Sequence, residues 1–274
     1  MTDLKTTLSR WKRHAAQGPA AAQVFAIGDV HGQADLLAAT LKTISQIDRG
    51  SDVRRLIFLG DIIDRGPASL RAIGLVQQAA QLAAVDDVVL LPGNHELMLL
   101  DGLDAPQMYM TDWLDNGGDA LIQEADPGCT ARKLAELAEV ARAAVGDAFL
   151  DRVRTGPTWH AEGDLLFVHA GVSPYQDMTT FLNQPRLLAL GNDHWAWIRE
   201  PFLDWEKGWN GHVIIHGHTP AVRGIGSIDA FAKQADHIVT KRRLCLDAGA
   251  AFQAQVGWAE FRDSNYRLGL TASI

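Results

Sequence analysis

Cysteine is scarce in this chain. Only Cys129 and Cys245 occur among 274 residues, and they form no CxxC pair. That excludes a disulfide framework and a thiolate zinc site, and it fits a reducing cytoplasm, the expected location. No run of 18 apolar residues is present, so no membrane-spanning helix and no membrane partner are expected. Residues 1–22 hold Lys5, Arg10, Lys12 and Arg13 without the continuous apolar core of a secretory leader. The leucines and Trp11 of that stretch predict a short helical extension leaning on the domain. An excess of positive charge is missing too. Thirty-three acidic against 25 basic residues leave a formal charge of -8, which disfavours a nucleic-acid partner. A small anionic substrate stays compatible, because bound cations reverse the local sign.

What the chain does hold is apolar material for a core, at 47% hydrophobic and 21% charged. Val24-Phe25-Ala26-Ile27 ends in Gly28-Asp29. Leu56-Ile57-Phe58-Leu59 ends in Gly60-Asp61, and Val88-Val89-Leu90-Leu91 runs through Pro92 into Gly93-Asn94. These read as buried strands. Between them, Gln33 to Ile47 and Ser69 to Ala84 have helical spacing, so βαβ units and a parallel sheet follow. Segment 101–158 reads as an insertion of loops with one good helix, Ala131 to Val145. Leu165 to Val168 and Val213 to Ile215 are further strands, each running into histidine. From Ile238 to Leu270, short strands and turns alternate and suggest a second, largely antiparallel sheet. The reading is therefore two sheets face to face with helices outside, in one domain over 23–274.

Ligands in such folds gather beyond the carboxyl ends of parallel strands. Five fragments sit at those ends: Gly28-Asp29-Val30-His31-Gly32, Gly60-Asp61-Ile62-Ile63-Asp64-Arg65-Gly66, Gly93-Asn94-His95-Glu96, His169-Ala170-Gly171 and His216-Gly217-His218-Thr219-Pro220. A mixed Asp, His and Asn set suits manganese, iron or zinc better than calcium. Each fragment alone is weak evidence. Five at strand ends, in order, point to one polynuclear site.

Those blocks closely resemble the signature motifs of the phosphoprotein phosphatases, within the calcineurin-like metallophosphoesterases. The resemblance runs from about Val24 to Ala250. It implies an α/β fold, a four-layer α/β/β/α sandwich of two mixed sheets. It implies two divalent ions, manganese first, with iron or zinc accepted. Asp29 and His31 correspond to ligands of the first ion, Asp61 to the bridging carboxylate, and Asn94, His169 and His218 to ligands of the second. His95 corresponds to the general acid, Asp64 to its orienting partner and Arg65 to a phosphate clamp. The chain departs from wider superfamily members at Pro220, where a second histidine would serve the first ion. His216 lies two residues before His218 and could face the same way on a strand.

The chemistry these residues imply is phosphoester hydrolysis. Two divalent ions carry four positive charges; Asp29 and Asp61 remove two, leaving a field that attracts phosphate and activates water. Arg199, in the block Trp195 to Glu200, is a second candidate phosphate arm, or else an ion-pair partner of Glu200 or Asp204. Glu96 suits a helix start. Trp195, Trp197, Trp205 and Trp209 pack the core or wall the cleft, and Arg223 and Asp247 are further cleft candidates. The expected substrate is a phosphoprotein or small phosphorylated molecule, first as a serine/threonine phosphatase. The alternative is symmetrical diadenosine tetraphosphate hydrolysis.

Overall fold

Near-continuous apolar runs make central strands that bury both faces, and two sheets result. The computed structural model describes residues 3–273 except 15, 131–132, 187–190, 223 and 225. Strands are numbered along the chain. The first sheet runs in the order β1 (Leu4–Leu8), β12 (Asn265–Ser273), β11 (Gln255–Arg262), β3 (Ala22–Ile27), β4 (Val53–Phe58), β5 (Asp87–Leu90), with β2 (Lys12–Arg13) paired to β12. Its β3, β4 and β5 are parallel, and β1, β12, β11 and β3 are antiparallel neighbours. The second sheet runs β6 (Trp159–Glu162), β7 (Leu165–Val168), β8 (Val213–His216), β10 (Arg243–Cys245), β9 (Asp236–His237), with a parallel centre and antiparallel edges.

Successive strand residues point to opposite faces, and this sorts the core into layers. Val24, Ala26, Ile57 and Leu59 meet Phe167, Ile215 and Leu244 between the sheets. Phe25, Ile27, Leu56 and Phe58 face the other way, under Leu37, Leu41 and Ile44 of the helix Ala34–Gln46. Beyond the second sheet, Leu166, Val168 and Ile214 lie beneath Phe181, Trp195, Phe202 and Trp209. Full burial of each such side chain contributes roughly 1.5–3 kcal/mol. The architecture is the four-layer α/β/β/α sandwich with two mixed sheets. Its last layer, among the described residues, is one short helix, Met178–Leu182, plus aromatic loops.

Three expectations need correction. Residues 4–8 and 12–13 are strands, not a helix; Leu4-Lys5-Thr6-Thr7-Leu8 pairs with β12 from Leu4↔Ser273 to Leu8↔Gly269. The two threonines favour a pleated surface over a helix. Next, β11 and β12 complete the first sheet instead of building the second, because Trp258 to Arg262 pair with Ile27 to Gln23. Finally, the insertion is mostly helical, with Asn94–Asp104, Pro106–Trp113, Asp119–Ala125, Leu134–Val145 and Asp147–Thr155. The start expected at Ala131 lies outside the described residues. Both cysteines are free. Among the described residues no helix is long and apolar enough to cross a membrane.

Candidate metal centre

The strand ends of β3, β4, β7 and β8 carry the predicted side chains into one buried cluster. The backbone there is unusual. His31, Asp61, Asp64, Arg65 and His218 all have φ between 44 and 72°, in the left-handed region. Non-glycine residues are uncommon there, and clusters of them mark functional sites. The approach of the loops is equally tight. A Cβ on Gly93 would lie 2.2 Å from Asp61 Oδ1, and one on Gly217 would lie 2.1 Å from Asp29 Oδ1. Glycine at these two positions lets backbone lie against the carboxylates.

Hydrogen bonds from behind aim the imidazoles. His31 Nδ1 lies 3.1 Å from the Ile63 carbonyl, and His169 Nδ1 lies 2.8 Å from the Leu59 carbonyl. A carbonyl can only accept, so both Nδ1 atoms carry the proton and both Nε2 lone pairs point inward. They meet oxygens that are acceptors too. His31 Nε2 is 3.5 Å from Asp61 Oδ2; His169 Nε2 is 3.5 Å from Asp61 Oδ1 and 3.0 Å from Asn94 Oδ1. His218 Nδ1 approaches the same amide oxygen at 2.8 Å, and its Nε2 is buried without a partner among the described residues. Converging lone pairs with too few protons between them fit cations. Two compact groups share Asp61: His31, Asp61 and His95, and Asp61, His169 and His218. Asp29 stands at the margin, 3.9 Å from His31 Nε2, and its carboxylate accepts from the His218 backbone N–H at 3.1 Å.

The electrostatics agree with that geometry. Burial pushes His31 down to about 3 and lowers His169 and His218, so these imidazoles are neutral and able to ligate. Burial opposes ionisation of Asp61, while attraction to any positive charge on the surrounding imidazoles, His169 foremost, lowers its pKa. Burial together with Asp247 and Asp61 raises Asp29 well above the usual carboxylate range. Three carboxyl groups this close require positive charge among them to ionise together.

His95 departs from the neutral pattern. Burial works against its charged form, but Asp61 and the Asp64 carboxylate raise its pKa. His95 Nδ1 lies 2.8 Å from Asp64 Oδ2. Because the carboxylate accepts at Nδ1, Nε2 of a protonated His95 is free to donate. His31 and His95 meet edge to face, 4.7 Å between ring centroids.

A cavity of about 240 Å³ opens onto these groups, with His31, Asp61, Asn94, His95 and His218 in its wall. Arg65 and Arg199 are exposed and border the same space. Among the described residues Arg199 forms no ion pair with Glu200 or Asp204. Trp197 walls the cavity, its ring 6.1 Å from His218, whereas Trp195 and Trp209 are core. His216 turns away: its Nδ1 faces the Gly217 carbonyl, Arg243 approaches Nε2 at 3.4 Å, and its ring edge meets Phe202. Asp247 lines the cavity beside Asp29. Arg223 lies outside the described residues.

The calcineurin-like phosphoesterase family matches residues 22–240. This chain belongs to that family. It is 28% identical over 206 residues to an asymmetrical bis(5'-nucleosyl)-tetraphosphatase of Bacillus subtilis, covering 71% of this chain and 78% of the relative. It is 38% identical over 96 residues to serine/threonine-protein phosphatase 1 of Salmonella typhimurium, covering 35% of this chain and 39% of that protein. Among solved structures, a serine/threonine phosphatase from Saccharomyces cerevisiae superposes with a TM-score of 0.51 at 15% identity, over 93% of this chain and 81% of that one. That likeness is one of fold.

Sequence reasoning missed two parts of this phosphoesterase site. Trp113 Nε1 donates to Asp64 Oδ2 at 2.8 Å. Arg65 is held by the insertion, its Nε donating to the Asn116 carbonyl at 3.2 Å and its backbone N–H to the Gly117 carbonyl at 3.0 Å. The available signal was a tryptophan within a helix followed by Asn116-Gly117-Gly118; a buried indole N–H needs an acceptor. Glu96 also does more than start its helix. Its carboxylate accepts from the N–H groups of Asp61, Ile62 and Gly93, each at 2.8 Å, tying two ligand loops together.

Proposed function

We propose that this chain is a two-metal phosphohydrolase of phosphomonoesters with poor, alkoxide-type leaving groups, of the seryl and threonyl phosphate class. The observation that carries this reading is the buried His95–Asp64 pair, 2.8 Å apart, with His95 itself in one of the two compact groups that share Asp61. In this reading Asp29, His31 and Asp61 hold one ion, and Asp61, Asn94, His169 and His218 hold the other. Manganese is the first expectation, with iron or zinc accepted by the same donors. When bound, such a pair supplies an activated water and positive charge for the phosphoryl oxygens.

The chain's own residues do the rest. Arg65 and Arg199 border the cavity from two sides and orient the phosphate. His95 Nε2 delivers a proton to the leaving oxygen as its bond to phosphorus breaks. Asp64 holds the imidazole in the required tautomer and favours its charged form. Such general acid catalysis is worth about 10²–10⁴-fold when the leaving group is a poor one.

A second reading, dinucleoside polyphosphate hydrolysis, is favoured by relatives of that activity aligning over more of this chain than the serine/threonine phosphatases do. Comparing kcat/KM for a phosphoseryl peptide, a phosphotyrosyl peptide and diadenosine tetraphosphate with added manganese decides between them. A preference of tenfold or more for the dinucleotide would replace the first reading with the second.

A further inference from the structure

A larger cavity, about 560 Å³, opens beside the metal centre and shares three wall residues with it: Arg199, Pro220 and Phe252. Phe252 is 76% exposed, among the most exposed large hydrophobic residues described. Phe252 thus presents a solvent-facing aromatic ring at the mouth of a buried polar site. Its position is fixed in part by the Arg65 guanidinium, 5.8 Å from the ring centroid. A phosphate seated over His31, His95 and His218 therefore has its substituent next to one flat apolar ring and one free guanidinium.

Among the described residues, the remaining wall of this larger space is made of Thr219, Val222, Gly224 and Gln253, with no carboxylate. Another cavity beside the site differs. A cavity of about 170 Å³, sharing Asn116 and Trp197, is bordered by Asp101 and Asp112. A flat group that stacks, joined through a short polar linker to phosphate, matches this arrangement; stacking on an aromatic side chain tolerates any base.

We infer that the Phe252 cavity is a subsite for the planar base of a nucleoside phosphate, with Phe252 as its stacking platform and Arg199 at the junction between base and phosphate. The inference rests on the metal-centre reading of the adjoining cavity, but not on which leaving group that centre prefers.

Calorimetric binding tests it without turnover when each ligand is the non-hydrolysable methylene-phosphonate analogue of the phosphate named; AMP and ribose 5-phosphate are compared with and without manganese. The two ligands share the sugar phosphate and differ by the base. AMP is expected to bind about tenfold tighter, within the usual range for one base–aromatic stack. Phe252→Ala should bring the two affinities together while leaving ribose 5-phosphate unchanged, and Phe252→Trp should keep the gap. Affinities within twofold in the wild type, or a gap that survives Phe252→Ala, would overturn the subsite. A Phe252-dependent gain for O-phosphotyrosine over O-phosphoserine, with none for AMP, would overturn it in favour of an aryl phosphate. Loss of the manganese dependence with the AMP gap intact would instead count against the metal centre and leave the subsite standing.

Discussion

Trp113 and His95 converge on a single oxygen. Asp64 Oδ2 accepts from the indole N–H at 2.8 Å and lies 2.8 Å from His95 Nδ1, while Asp64 Oδ1 is buried with no partner among the described residues. Trp113 belongs to the insertion, and Gly118 fits against its ring. The insertion therefore positions the His95–Asp64 pair. Trp113→Phe keeps most of the packing and removes one donor from a buried carboxylate, a loss of about 1–3 kcal/mol in stability. We expect kcat on a phosphoseryl peptide to fall several-fold, with para-nitrophenyl phosphate little changed. A uniform fall on both substrates would reduce Trp113 to a packing residue.

In the proposed reading, His95→Asn removes the proton donor itself. The expected loss in kcat on alkyl phosphates is on the order of 10²–10⁴. Para-nitrophenyl phosphate should lose far less, because nitrophenolate leaves without protonation. Steady-state kinetics on the two substrates checks this, and equal losses would remove His95 from the role.

Asp61 lies between both ligand groups. Asp61→Asn should abolish paired metal binding, and elemental analysis of the purified variant should find well under two ions per chain. Full occupancy would contradict the shared-ligand assignment.

The buried His216 offers a pH test outside the ligand groups. Burial, with Arg243 nearby, pushes it down to about 3 from 6.5. The folded state thus keeps it neutral while the unfolded chain takes up a proton. Its contribution to stability is intact above about pH 6.5 and is lost progressively as pH falls toward 3. Measured by urea unfolding in chelator, the stability of wild type relative to His216→Phe should fall with decreasing pH below 6.5. The slope is at most about 1.4 kcal/mol per pH unit. A difference that does not change between pH 7 and 4.5 would mean that His216 takes up its proton in the fold as readily as in the unfolded chain.

Much of the site was legible because its signals are local. An apolar run followed by Gly-Asp or Gly-Asn states both a buried strand and the residue at its end, so Asp29, Asp61 and Asn94 could be placed from sequence. The assignment of strands to sheets was not legible. Leu4 pairs with Ser273, and Trp258 with Ile27, across more than 200 residues, and nothing in either segment names its partner. The supports of the acid pair were hidden for the same reason. Trp113 is 49 residues from Asp64, and its indole meets the carboxylate only after the helices of the insertion have packed. His95 in the first compact group, with Asp29 at the margin, was also out of reach, since it depends on side-chain directions at the strand ends.

The left-handed residues of the site bear on when its order is established. Folding forces His31, Asp61 and His218 into a sparsely populated backbone region, and the Glu96 carboxylate clamps two of the loops, so the donor atoms are aimed before any ion arrives. An arriving cation then fills a mould instead of recruiting its walls, and little loop entropy opposes its capture. Stripping the ions with chelator should leave the loops' protease resistance and amide-exchange protection almost as they were.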